Sequence, residues 1–173
     1  MGLIKRIAVT GPESTGKSEL AEKLAGYYHT LWVQEYSREY LNNINRPYNQ
    51  DDILAIAKGQ LAKEEALISR ADKFLFCDTE FIVTKIWSDF RYGNCHHWII
   101  RQIEEHRYDL FLLCDIDLPW QDDPLREHPD KRRELFDLYY NELVERHFPF
   151  KVISGFGEER IKRAISEIDR TFN

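Results

Sequence analysis

An α/β fold, a five-stranded parallel sheet with helices on both faces, follows from three features of this 173-residue sequence. Five short apolar runs have the length of buried strands. Amphipathic stretches at helical spacing separate them. Glycine, serine and acidic residues stand at or just past the carboxyl ends of the runs, where such sheets hold their ligands.

In chain order, Ile4 to Thr10 ends in Ile7-Ala8-Val9-Thr10 and reads as the first strand. Leu20, Ala21, Leu24 and Tyr27 predict a helix from Lys17 to about Tyr28. Leu31-Trp32-Val33 is a second strand ending at Gln34-Glu35. Asp51 and Asp52 open a helix carrying Ile53, Leu54, Ala57, Leu61 and Ile68, with acids suited to the positive helix start. Phe74 to Cys77 is the third strand, ending at Asp78, and Asp109 to Cys114 the fourth, ending at Asp115. Two helical segments lie between them, around Phe81 to Phe90 and His96 to His106. Residues 118–130 read as a polar lid loop, and Lys131 to His147 as helix. Phe150 to Ile153 is the fifth strand, broken by Gly155-Phe156-Gly157. Ile161, Ala164, Ile165 and Ile168 then stripe a last helix.

Composition narrows the class. With 43% hydrophobic and 31% charged residues, the chain is globular, and residues 1–173 are expected to form one domain. No run is long and apolar enough to cross a bilayer, so no membrane partner is expected. Met1-Gly2-Leu3-Ile4-Lys5-Arg6 leads directly into the first strand, leaving no room for a signal peptide, and Arg6 breaks the myristoylation pattern after Gly2. Cys77, Cys95 and Cys114 form no close pair, which argues against a disulfide framework or zinc site and for a cytoplasmic location. A net charge of −6 without a basic block excludes a broad nucleic-acid surface. Local groups can still bind a small anion.

Gly11-Pro12-Glu13-Ser14-Thr15-Gly16-Lys17-Ser18 fits G-x-x-x-x-G-K-[ST] at every fixed position. Glycine lets the backbone turn its N–H groups inward around phosphates, and the following helix adds unpaired amides and its positive dipole end. Lys17 is expected to reach the β- and γ-phosphates of ATP, and the Ser18 hydroxyl to hold Mg2+. The motif follows a strand and opens an amphipathic helix, as the mechanism requires. This is a P-loop NTPase pattern, and many families share it.

Other residues complete a transfer site. Asp78 at the third strand end is placed to hold Mg2+ directly or through water, and can also cap the next helix. Glu35 can orient an acceptor hydroxyl and take its proton; its plainer reading is a solvated loop residue. Tyr36, Arg38 and Tyr40 can contact a nucleoside, although tyrosines so placed are as often partly core. In the lid, Arg126 is the first candidate to swing onto the triphosphate, with Arg132 and Arg133 behind it; the alternative is that all three face solvent. His96-His97 is no metal pair, because adjacent helix residues point about 100° apart.

Together the phosphate loop, Glu35-Tyr36-x-Arg38-x-Tyr40, Phe76-x-Asp78-Thr79-Glu80-Phe81, Tyr108-Asp109-Leu110 and Pro119-Trp120…Asp123-x-Leu125-Arg126 resemble the ribosylnicotinamide kinase domain of the bacterial NadR proteins. The resemblance covers nearly the whole chain and implies a P-loop fold of the nucleoside- and nucleotide-kinase kind. It implies transfer of phosphate from ATP to the 5′-hydroxyl of nicotinamide riboside, a small nucleoside, giving nicotinamide mononucleotide. It implies that Lys17 and Ser18 handle phosphate and Mg2+, that Glu35 and Asp78 are the acidic pair, and that Arg126 is the lid cation. Tyr36, Arg38, Tyr40, Glu80, Trp120 and Asp123 are then expected around the substrate. Pro124 and Ser37 stand where the family often has glycine, and Glu39 and Glu80 where it has aspartate. The adenylyltransferase and helix-turn-helix parts of NadR proteins have no counterpart in this length, so neither role is implied.

Two alternatives stand beside this. One is a kinase for another nucleoside or small molecule. The other is a P-loop regulatory ATPase with no phosphorylated acceptor. A GTPase switch is excluded, since D-x-x-G and N-K-x-D are both missing.

Overall fold

A computed structural model describes residues 3–173; the readings of Met1 and Gly2 lie outside them. Five strands form one parallel sheet: β1 (Lys5–Thr10), β2 (Leu31–Val33), β3 (Phe74–Asp78), β4 (Leu110–Cys114) and β5 (Phe150–Ile153), in the order β2-β3-β1-β4-β5. The central strand is therefore the one that runs into the phosphate loop. The chain has the P-loop NTPase fold that the sequence predicts.

Side-chain alternation explains why the runs are apolar throughout. Ile7 and Val9 of β1, Phe74 and Phe76 of β3, and Leu110 and Leu112 of β4 face one layer. That layer is closed by α1 (Lys17–Tyr27) and α7 (Gly157–Phe172). Ala8, Leu75, Cys77, Phe111 and Leu113 face the other, closed by α3 (Gln50–Ile68), α4 (Phe81–Tyr92), α5 (His97–Glu105) and α6 (Arg132–Glu145). With both faces covered, alternation between polar and apolar has no place in these strands. Cys77 and Cys114 are fully buried within them.

One element was not legible. Tyr36–Asn43 is a helix, α2, where the sequence reading has only a strand end. It packs on α3, and its register decides which of its residues reach the site. At the other end of the chain, Pro129–Lys131 forms a 3-10 turn, so α6 begins at Arg132. His96 lies outside α5 and caps it, its Nδ1 accepting the Trp98 N–H at 3.1 Å. His96 and His97 stack on each other. Among the described residues no cluster of three metal-binding side chains forms, and no helix is long and apolar enough to cross a membrane.

Candidate active site

The phosphate loop turns sharply between β1 and α1. Gly11 has φ +134°, and a Cβ there would come within 3.0 Å of the Cys114 carbonyl oxygen, so the neighbouring strand itself demands glycine. The Thr15 hydroxyl donates to the Pro12 carbonyl at 2.8 Å and closes the loop. Gly16 caps α1 without a side-chain hydrogen bond, which leaves the first-turn N–H groups directed at the loop. Lys17 lies across it, its ammonium donating to the Gly11 and Pro12 carbonyls at 2.9 and 2.7 Å.

Behind the loop stands Arg160, 4% exposed, which no motif announced. Its guanidinium donates to the Thr15 carbonyl (2.8 Å), the Asp117 carboxylate (2.8 Å) and the Gly155 carbonyl (3.1 Å). One buried cation thus ties the phosphate loop to the ends of β4 and β5.

Ser18 and Asp78 meet, with the hydroxyl donating to Oδ2 at 2.5 Å. Oδ1 of Asp78 is buried without a partner. Burial, then the charge of Glu35, pushes the Asp78 carboxyl up to about 6. An orphaned carboxylate oxygen beside a hydroxyl is a hard-oxygen donor set, and it fits Mg2+, which takes few protein ligands and completes its shell with phosphate and water.

Glu35 lines the cavity that the phosphate loop borders and is the N-cap position of α2. Ser37 donates to its carboxylate at 2.5 Å. Gln60, buried on α3, fixes this corner by accepting the Tyr36 N–H (2.8 Å) and donating to the Asp78 carbonyl (3.1 Å). Glu35 and Asp78 are therefore clamped to one another through a residue the motifs do not include.

The cavity has a volume of about 730 Å³, with the phosphate loop at one end. Its other half is an apolar and aromatic wall in which Tyr48, Trp87, Phe90, Ile86 and Tyr139 take part. The lid closes over the junction. Glu13 accepts the N–H groups of Glu127 and His128 at 3.1 and 3.0 Å, and the Ser14 hydroxyl accepts the Gln121 N–H at 2.9 Å. Arg126 lines the cavity, its guanidinium on the Gln121 carbonyl (2.5 Å) and the Ser14 hydroxyl (3.4 Å). Arg132 bonds the Ser14 and Leu118 carbonyls, so it braces the lid base, and Arg133 is exposed and pairs with Asp137.

Five expected substrate residues lie elsewhere. In helical α2, Tyr36 and Tyr40 share a face that is turned to α3, whereas Ser37, Arg38 and Leu41 line the cavity. The Tyr36 ring lies over Gly59, and the Tyr40 hydroxyl donates to Asp52 at 2.8 Å. Glu80 is buried at the start of α4, where it accepts the Thr10 hydroxyl (2.7 Å) and the Ile82 N–H (2.6 Å); burial pushes its carboxyl up to about 7. Trp120 turns its indole N–H to Asp122 and its ring under Arg132. Asp123 accepts the Leu125 N–H and pairs with Arg38 at 2.9 Å, which pins the lid to α2. These residues shape the site without lining it.

Comparison with known proteins agrees with the resemblance read from the motifs. The chain is 31% identical over 155 residues to the trifunctional NAD biosynthesis/regulator protein NadR of Escherichia coli, covering 85% of this chain and 37% of that protein. It is similar to a solved NadR protein in complex with NR (TM-score 0.80, 21% identity, 98% of this chain and 51% of that one). It is also similar to a NadR protein in complex with NAD and AMP-PNP (TM-score 0.76, 23% identity, 98% and 49%). The chain thus spans about a third of the curated relative and about half of each solved one. A family model described as AAA domain matches residues 6–160, from β1 through the phosphate loop and lid to the buried Arg160, and the chain belongs to that family.

Proposed function

We propose that this chain is an ATP-dependent kinase that phosphorylates the 5′-hydroxyl of nicotinamide riboside to nicotinamide mononucleotide. One observation carries the reading: a single cavity joins a phosphate loop to an aromatic wall, with Glu35 and Ser18 on its lining and Asp78 directly behind Ser18. An ATPase without an acceptor has no use for the apolar half. The similarity to a NadR protein in complex with NR supports nicotinamide riboside as occupant of that half, and the complex with AMP-PNP supports ATP as donor.

In this reading the loop amides and Lys17 cradle the β- and γ-phosphates. Ser18 and Asp78 would hold Mg2+, which neutralises charge on the phosphates when bound. The Glu35 carboxylate accepts the proton as the 5′-oxygen attacks the γ-phosphorus and ADP leaves. Arg126, already over the loop, offsets the charge of the transferring group. Arg38 holds Asp123 and so keeps the lid in place.

Purified protein with Mg-ATP and a panel of nucleosides tests this, with products identified by mass. Nicotinamide riboside is expected to gain one phosphoryl group, and Lys17→Ala to form none while remaining folded by circular dichroism. ATP hydrolysis with no phosphorylated nucleoside would sink the proposal and favour a regulatory ATPase.

A further inference from the structure

Glu127 and His128 touch both halves of the cavity at once. Their backbone N–H groups rest on Glu13 of the phosphate loop. On the other side, the Glu127 carboxylate accepts the Tyr48 hydroxyl at 2.8 Å, and that hydroxyl accepts the Trp87 indole N–H at 3.1 Å. The Tyr48 and Trp87 rings meet edge to face with centroids 5.1 Å apart, and His128 packs against Phe90 at 4.9 Å. Donor loop, lid and aromatic wall are thereby joined by consecutive contacts through two lid residues.

Tyr48 is well held for such a task. It precedes Asn49, the N-cap of α3, which forms a reciprocal capping box with Asp52. Arg46 grips the same Asp52 through both terminal guanidinium nitrogens, at 2.7 and 2.8 Å. The connection from α2 to α3 is thus fastened on either side of the ring. A phenol hydroxyl has one proton to give, and here it goes to Glu127 while the indole N–H occupies the oxygen. Burial and the Glu127 bond hold that proton in place, with the phenol pushed up to about 12.

We propose that Tyr48 is a positioning residue that passes occupancy of the aromatic half to the lid, and through Glu127 and Glu13 to the phosphate loop. A base seated on the wall immobilises the Tyr48–Trp87 pair; the pair orients Glu127; and Arg126, the preceding residue, is kept over the loop. Nucleoside and ATP then bind cooperatively, because each bears part of the entropy cost of ordering the same lid segment. The identity of the nucleoside rests on the function proposed above, whereas the coupling rests on the lid contacts.

Tyr48→Phe keeps the ring and removes the hydroxyl, so it cuts the link and leaves the wall. Affinity for a non-hydrolysable ATP analogue with Mg2+ is measured by calorimetry with and without nicotinamide riboside. The wild type is expected to bind the analogue roughly tenfold more tightly when the nucleoside is present, and Tyr48→Phe to lose most of that enhancement. Glu127→Gln, whose amide oxygen still accepts the phenol, is expected to keep it. Amide hydrogen exchange at Glu127 and His128 is expected to be about tenfold faster in Tyr48→Phe, with the β1 and β4 amides unchanged. A nucleoside that is phosphorylated while its enhancement is the same in wild type and Tyr48→Phe, or missing in both, overturns the coupling alone. If no nucleoside is phosphorylated while nicotinamide riboside still tightens the analogue in the wild type and not in Tyr48→Phe, the substrate reading falls and the coupling stands; with no enhancement either, both fall.

Discussion

The role proposed for Asp78 comes at a cost in stability. Its carboxyl, pushed up to about 6 from an ordinary 3.8, holds its proton more firmly folded than unfolded. The unliganded protein therefore loses stability as pH rises from about 4 through about 6. Asp78→Asn removes the buried charge and is expected to stabilise the unliganded protein by about 1–3 kcal/mol near pH 8. Near pH 4 the effect should be small, and Mg-dependent transfer should be lost. Urea unfolding at the two pH values checks this; equal stability near pH 8 would contradict the burial argument. Asp78 was legible because it ends an apolar run. Glu80, two residues on, was expected beside the substrate only through the family resemblance. The first turn of α4 instead draws it inward to cap Ile82 and meet Thr10, a direction the spacing does not reveal.

At the scale of elements, α2 was illegible because its eight residues carry few apolar side chains and only Ser37 is buried. Its helical register is nevertheless what separates Arg38, in the cavity, from Tyr36 and Tyr40, on α3. Gly59 is the contact that sets the spacing of the pair. A Cβ there would lie 2.0 Å from Tyr36 Cε1, in a ring rather than a flexible chain end. Gly59→Ala is expected to cost about 1–3 kcal/mol by overpacking. The displaced α2 should also lower turnover, because Glu35 and the Arg38–Asp123 pair move with it. Thermal unfolding read alongside phosphoryl transfer checks both. Unchanged melting and unchanged turnover would show that the corner tolerates the methyl. The lid boundary is a milder case: helix was expected from Lys131, but Pro129–Lys131 turns more tightly before α6 begins.

For the whole molecule, the strand order puts β1 in the middle, so the phosphate loop, Glu35 after β2, Asp78 of β3 and Asp117 after β4 open on one edge of the sheet. A ligand there contacts elements from most of the chain and binds only when they are assembled. An ATP analogue with Mg2+ at a hundred times its dissociation constant is expected to add about 2.7 kcal/mol to stability. The rise in melting temperature measures it, and no rise at saturation would mean that the site is not formed. The sequence by itself determined the parallel α/β fold, the phosphate loop with Lys17 and Ser18, and Asp78 at a strand end. These depend on spacing over a few residues, where strand alternation, helix period and loop length act directly. Only the tertiary structure decided the aromatic wall, the Gln60 clamp, the Arg160 brace and the Tyr48–Glu127 link. The contacts that define them, Gln60 to Asp78, Tyr48 to Glu127 and Arg160 to Thr15, join residues from 18 to 145 positions apart. Local spacing carries no trace of them, because the crossovers of the parallel sheet bring the partners together only after the core has closed.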